Sequence, residues 1–369
     1  MMLIPGPVEV PPSVLEASAK VMNHRSDEFR EIVRESQKLL NEFADSTQSI
    51  ITTGSGTLAV ESMIFSMTRK GEKVLGVTFG EFGDRLMESL ERRGCNLKKL
   101  NKTVDDVLEK GEITDFLSKN GEIDTVCLVH NETGNGTSIK NIKSIAEECN
   151  GLGLKVLVDS VSGFGGMPIE VNGWGIDAIA TCSQKGLASV PGLGIVCLGN
   201  DANSYIASDR DFPKYLDIGI GLSFAEKGET AFTPSTGSFN ALLRALKILR
   251  DESLETRLHR HSAIAEFLRK NIENGGGEVL GNERNYSDTV VAFKPSIEPH
   301  SLQSALRTRG FEVAGGMGKL HGKIVRVGNM GVLSGEKAAA FLNEYFRIVN
   351  STEHIEPEDV PDGTSINYS

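Results

Sequence analysis

Short apolar runs alternate with stretches of helical periodicity between Gln48 and Leu198, and this alternation limits the possible folds more than any other feature. The runs are QSIITT (48–53), KVLGVTF (73–79), IDTVCLVH (123–130), LKVLVD (154–159), DAIATCS (177–183) and GIVCL (194–198). Between them Val60, Ile64 and Met67, then Phe82, Leu86 and Leu90, then Ile142, Ile145 and Ala146 recur at helical spacing. Continuous apolar strands separated by amphipathic helices predict an α/β fold with a mainly parallel sheet covered on both faces. LKVLVD reads as the most buried strand, and a carboxylate, Asp159, closes it.

The 369 residues suffice for a large core and a second, smaller unit. Pro5, Pro7, Pro11 and Pro12 exclude a helix from residues 1 to 12, so 1–15 is expected to be an extended arm, either disordered or laid against a surface such as a partner subunit's. Residues 16–250 form the expected large domain. DTVVAFK, the segment around Leu302, KIVRVGN and AAAFLNEYFRIV make 251–350 a small α+β domain. The acidic stretch 351–369 has no periodicity and is expected to be loosely ordered.

A net charge of −11 argues against a nucleic-acid partner, which needs a basic face. No apolar run is long enough for a membrane span, and the first residues lack the basic and apolar regions of a signal peptide. Cys95, Cys127, Cys149, Cys182 and Cys197 show no metal-ligand spacing, and no metal is expected; free thiols point to a cytoplasmic protein.

Chemistry concentrates at the strand ends. Lys185 follows DAIATCS in a glycine- and proline-rich turn, where desolvation would lower its pKa and make a nucleophilic amine; a surface lysine is the plain alternative. Asp159 lies where open α/β sheets place ligands, or caps a turn. Gly54-Ser55-Gly56-Thr57, between a strand and a helix, reads as a phosphate site, a tight turn or, with Ala59, part of a dinucleotide motif; the acid that motif needs after the next strand is missing. Arg326 is a candidate carboxylate clamp or an exposed strand residue, and Phe82 a candidate site aromatic or helix core. A phosphate turn, a strand-end Asp and a strand-end Lys together suit pyridoxal 5'-phosphate: the amine forms an imine, the acid holds the ring nitrogen protonated, and N–H groups hold the phosphate.

The ordered series IPGPVEVPPSVL, NHRSDEF, TGSGTLAVESM, FGEFGDR, HNETGNG, LVDSVSGFGG, CSQKGLASVPGLG, FTPS and VRVGNMG resembles the class V, fold-type I aminotransferases, in the alanine–glyoxylate and serine–pyruvate/serine–glyoxylate branch. The resemblance runs from Leu3 to about Val349. It implies a mainly parallel, seven-stranded-type sheet with a small C-terminal domain, and pyridoxal phosphate as cofactor. Lys185 would carry the internal aldimine and shuttle the proton, Asp159 would pair with the pyridine nitrogen, and Val161 and Phe82 would enclose the ring. Ser55, Gly56, Thr57 and Gln184 would hold the phosphate, with Thr233 reaching that of the neighbouring subunit, so a homodimer is implied. Thr133 would sit near the ring hydroxyl, Arg326 would take the substrate carboxylate, and Gly6 would line the same pocket.

Three positions depart from the pattern. Gly134 replaces a hydroxyl residue, Thr230 stands where some relatives have Tyr, and Asn329 stands where the glyoxylate branch often has His, a feature shared with 2-aminoethylphosphonate transaminases. The expected activity is ping-pong transfer of an amino group from serine or alanine to glyoxylate or pyruvate. The alternatives are 2-aminoethylphosphonate–pyruvate transamination and a lyase or desulfurase of the same fold. A dehydrogenase or binding module built on Gly54-x-Gly56 is the reading from outside that class.

Overall fold

In a computed structural model that describes residues 1–366, seven strands form the central sheet. Across it they run Gln48–Thr53, Leu193–Leu198, Ala178–Cys182, Lys155–Asp159, Thr125–Val129, Lys73–Thr78 and Asn96–Asn101. Leu193–Leu198 is antiparallel to both neighbours, and every other pairing is parallel. Alternate residues of one strand feed opposite cores, as the two-residue period of a strand demands. Val156 and Val158 pack with Phe29, Leu40 and Phe239 on one face. Leu157 faces Met63, Ile64, Leu86 and Leu90 on the other. The expected α/β class and mainly parallel sheet are what the structure shows.

Asn96–Asn101 is absent from the sequence expectation. Its residues, NLKKLN, are polar because it is an edge strand, bonded to Lys73–Thr78 alone.

A second, antiparallel sheet of Glu278–Val279, Val290–Lys294, Val325–Gly328 and Ala314–Gly315 has its own core, in which Phe293, Leu302, Val327, Phe341 and Leu342 are buried. The stretch beginning at Ser351, expected to be loosely ordered, lies against this core: Ile355 is buried in it, and the Thr364 carbonyl accepts from Gly335 N–H at 3.1 Å. Its last residues, 367–369, are outside those described.

The N-terminal arm crosses its own chain. Leu3 enters the small core, with its N–H bonded to the Glu312 carbonyl and its carbonyl to Gly328 N–H, both at 2.7 Å. Val8 N–H then reaches the Gln184 carbonyl at 3.2 Å. A helix starts at Pro12, where proline's missing N–H costs nothing, and seats Val14 against Ala241 and Ala245. No helix among the described residues is long and apolar enough to cross a membrane.

Candidate active site

Because Lys155–Asp159 and Ala178–Cys182 are parallel neighbours, their carboxyl ends open on one side of the sheet. Asp159 therefore stands beside the turn that carries Lys185. Burial raises the Asp159 pKa to about 6, against the pull of the Val161 N–H and of Lys185. One carboxylate oxygen accepts from Val161 N–H at 2.9 Å, and the other has no partner among the described residues. Lys185 keeps some exposed surface, yet burial of its amine is the main cause lowering its pKa, helped by Arg326 and opposed by Cys182 and Asp159. The amine donates to the Pro5 carbonyl of the arm. Gly6 is required beside it, since φ is +128° and a Cβ would lie 2.7 Å from Lys185 Cδ, Cε and Nζ.

Ser55 is the N-cap of the Gly56–Met67 helix, accepting from Leu58 N–H at 3.4 Å. The first-turn N–H groups of Gly56 and Thr57 have no acceptor within a helix, so they face outward with the positive end of its dipole. Gly56 admits the helix tightly over Val161, whose methyls would be 2.9 Å from a Cβ there. Gln184 follows Ser183 in the Lys185 turn, with its side-chain oxygen 3.3 Å from Ser183 Oγ.

Phe82 starts the Glu81–Arg93 helix and is half-buried, unlike Leu86 and Leu90 on the same helix, which are core. The Arg85 guanidinium lies over its ring at 5.0 Å. Beside it a two-stranded ribbon, Asn131–Glu132 with Thr137–Ser138, lies at the end of the Thr125–Val129 strand. Thr133 in this ribbon is buried, its hydroxyl 2.6 Å from Ser162 Oγ. Its carbonyl accepts from Arg326 Nη1 at 3.0 Å, while Arg326 Nε donates to the Gly315 carbonyl at 2.8 Å.

Arg326 is thus a buried residue, facing the small Ala292 and Ala314 across the strands, and its Nη2 has no partner among the described residues. Burial lowers its pKa and Glu132 opposes this.

Thr233 does not join this group within one chain. It is exposed beside the stacked rings of Tyr215 and Phe232, whose loop is tied to the strand before Gly54 by Tyr215 Oη on the Thr53 carbonyl and Ser235 N–H on Thr53 Oγ1. Thr230 is buried, its hydroxyl turned to the Phe232 carbonyl. Asn329 is also buried, and its amide nitrogen bridges the His261 and Asp288 carbonyls, so that departure serves packing behind the Arg326 strand.

Two residues in the ribbon's surroundings were not singled out by sequence reasoning. His130, buried against Ser160 Oγ at 3.0 Å, has its pKa lowered to about 4 by burial and is neutral. Glu132 is buried, with a pKa raised by burial to about 7 despite hydrogen bonds from Gly83, Gly134 and Phe82 N–H groups. A carboxylate among glycines in HNETGNG was its visible signal.

A low-pKa amine, a carboxylate with a vacant acceptor and an open helix N-terminus are complementary to a molecule bearing a carbonyl, a protonatable ring nitrogen and a phosphate. The family model described as "Aminotransferase class-V" matches residues 13–327. The chain belongs to the class-V aminotransferases. This aminotransferase is 33% identical over 349 residues to an uncharacterized aminotransferase of Methanocaldococcus jannaschii, covering 93% of this chain and 90% of the relative. It is 27% identical to serine–glyoxylate aminotransferase of Methylorubrum extorquens, over 90% of this chain and 87% of that one. Its fold matches the crystal structure of alanine–glyoxylate aminotransferase from Nostoc sp. with a TM-score of 0.88 at 27% identity, covering 94% of each chain.

Proposed function

We propose that this aminotransferase uses pyridoxal 5'-phosphate to move the amino group of a small amino acid, serine or alanine, to glyoxylate or pyruvate in a ping-pong cycle. The observation that carries the reading is the pairing of the low-pKa amine of Lys185 with the half-vacant carboxylate of Asp159 at adjacent strand ends. The cofactor fits the residues present: Asp159 for the ring nitrogen, Val161 and Phe82 for its two faces, and Ser55, Gly56, Thr57 and Gln184 for the phosphate. When bound it supplies an electron sink for the substrate's α-carbon.

The chain's own work follows from its geometry. Lys185, with its amine held neutral more readily than in water, takes the proton from the substrate α-carbon and returns it one position along. A cationic ring nitrogen held by Asp159 would pull its pKa back down from about 6 and keep the carboxylate ionised. Arg326 offers Nη2 to the substrate carboxylate while Thr133 and Gly315 hold the rest of the fork. Gly6 lines the same space, and Thr133 stands beside Arg326. Thr233, exposed next to the phosphate turn, would serve the partner's site in a homodimer. Five free cysteines, four of them buried, suit the cytoplasm.

The serine–glyoxylate and alanine–glyoxylate relatives support these substrates over 2-aminoethylphosphonate. Asn329, the residue shared with that class, is spent on backbone carbonyls. Side-by-side assay of serine, alanine and 2-aminoethylphosphonate with glyoxylate and pyruvate tests the reading. Preference for serine or alanine is expected; a preference for the phosphonate, or no transamination at all, would overturn it.

A further inference from the structure

We infer that Glu132 is a positioning residue, whose buried carboxylate fixes Phe82 and, through the next peptide, Arg326 on either side of the reacting centre. The inference rests on the function proposed above and adds a residue to its machinery.

The Glu81–Arg93 helix begins at Gly80 and has no side-chain cap of its own. Its first N–H groups would be left unbonded, and Glu132 supplies the missing acceptor from another element. Oε2 accepts from Phe82 N–H at 3.0 Å and Gly83 N–H at 3.1 Å, and Oε1 accepts from Gly134 N–H at 2.9 Å. A negative group at a helix N-terminus also complements the dipole. The site is built around this carboxylate: a Cβ on Gly80 would come within 3.1 Å of Glu132 Cδ and Cγ, and one on Gly134 within 2.8 Å of Oε1.

The same ribbon reaches the other side of the site. Thr133, next in sequence, gives its carbonyl to Arg326 Nη1. Asn135 Nδ2 donates to the Phe79 carbonyl at 2.9 Å, just before the Phe82 helix. Ser138 N–H bonds the Asn285 carbonyl at 2.7 Å, and Ser287 N–H bonds the Gly136 carbonyl at 2.9 Å, anchoring the ribbon beside the small sheet. A shift of the Glu132 carboxylate therefore moves a ring-facing aromatic and a substrate-binding arginine together.

The test compares Glu132→Gln, Gly134→Ala and Gly94→Ala with wild type, all loaded with pyridoxal phosphate. Glutamine keeps one acceptor oxygen but turns an NH2 toward backbone N–H groups, and the added methyl of Gly134→Ala displaces the carboxylate without removing its charge. Gly94→Ala strains the far end of the same helix, where φ is +84°, and leaves Glu132 alone. The first two should alter the visible circular dichroism of the bound cofactor, weaken its Kd about fivefold and lower kcat/KM about tenfold to a hundredfold, as small misplacements do. Gly94→Ala should lose thermal stability only. Should Glu132→Gln not fold, Gly134→Ala carries the same comparison. Folded variants with wild-type dichroism, Kd and kcat/KM would show a merely structural cap and overturn the inference. A wild type that takes up no pyridoxal phosphate would overturn the proposed function and this inference with it.

Discussion

Two lysines, Lys155 and Lys185, serve the same sheet from opposite ends, and their surroundings differ in the one respect that separates structure from chemistry. Lys155 opens the strand that Asp159 closes. Its amine donates to Glu72 at 2.9 Å and to the Met67 carbonyl, and it sits 5.2 Å from the Tyr205 ring centre. Glu72 is matched in turn by Thr125 Oγ1 and by Arg69 N–H. A buried ion pair with every partner in place is a structural brace, costly to break from one side. Lys185 has no carboxylate in bonding reach, only the Pro5 carbonyl, and burial lowers its pKa. The same side chain is braced by a carboxylate at one end and left without one at the other, which is what the proposed role of Lys185 as a base requires.

The contrast breaks most sharply by truncation. Lys185→Ala should lose at least about a thousandfold in turnover, the scale expected when the group that bonds and shuttles is removed. Its apoprotein should melt no lower than wild type, since a buried amine without a carboxylate has been deleted. Lys155→Met should do the reverse. Stranding Glu72 should cost about 3–5 kcal/mol in denaturant unfolding, with turnover per folded molecule nearly unchanged.

Asp159 and Glu132 extend the comparison to pH. Both are raised above their unfolded values, to about 6 and about 7, chiefly by burial. Such groups stabilise the fold when protonated, so their contribution is complete below the unfolded pKa and is lost as pH rises through the folded one. Apoprotein stability should fall by roughly 2–3 kcal/mol for each of these two groups between about pH 4 and pH 8. Asp159→Asn should remove the lower part of that slope in thermal melts. Arg326→Lys, which keeps charge but loses the fork, should raise KM for amino and oxo acids about tenfold with a smaller change in kcat, read by steady-state kinetics. The smallest effect is Ser55→Ala, about 1 kcal/mol for a lost N-cap, measured in the apoprotein by chemical denaturation.

The strands that flank Lys185 and Asp159 were legible because they are buried on both faces and so read as unbroken apolar runs. Asn96–Asn101 was not, since an edge strand carries lysines. The helix at Pro12–Ser18 was masked by the prolines that start it, and the burial of Ile355 and Thr364 by an acidic, aperiodic sequence. Local pattern located Lys185, Asp159 and the 54–57 turn, each at an element boundary. Arg326 could be named but its burial could not, because that depends on Ala292 and Ala314 across the small sheet. HNETGNG marks Glu132 but not its partners on the Phe82 helix: the N–H groups of residues 82 and 83 meet it only in the fold.

Borohydride reduction of the holoenzyme, followed by peptide mass mapping, tests the contrast between the two lysines most directly. Reduction fixes a pyridoxyl group to whichever lysine carries the cofactor. Modification of Lys185 alone is the expected result; a label on Lys155 or another lysine, or none on any lysine, would contradict the assignment.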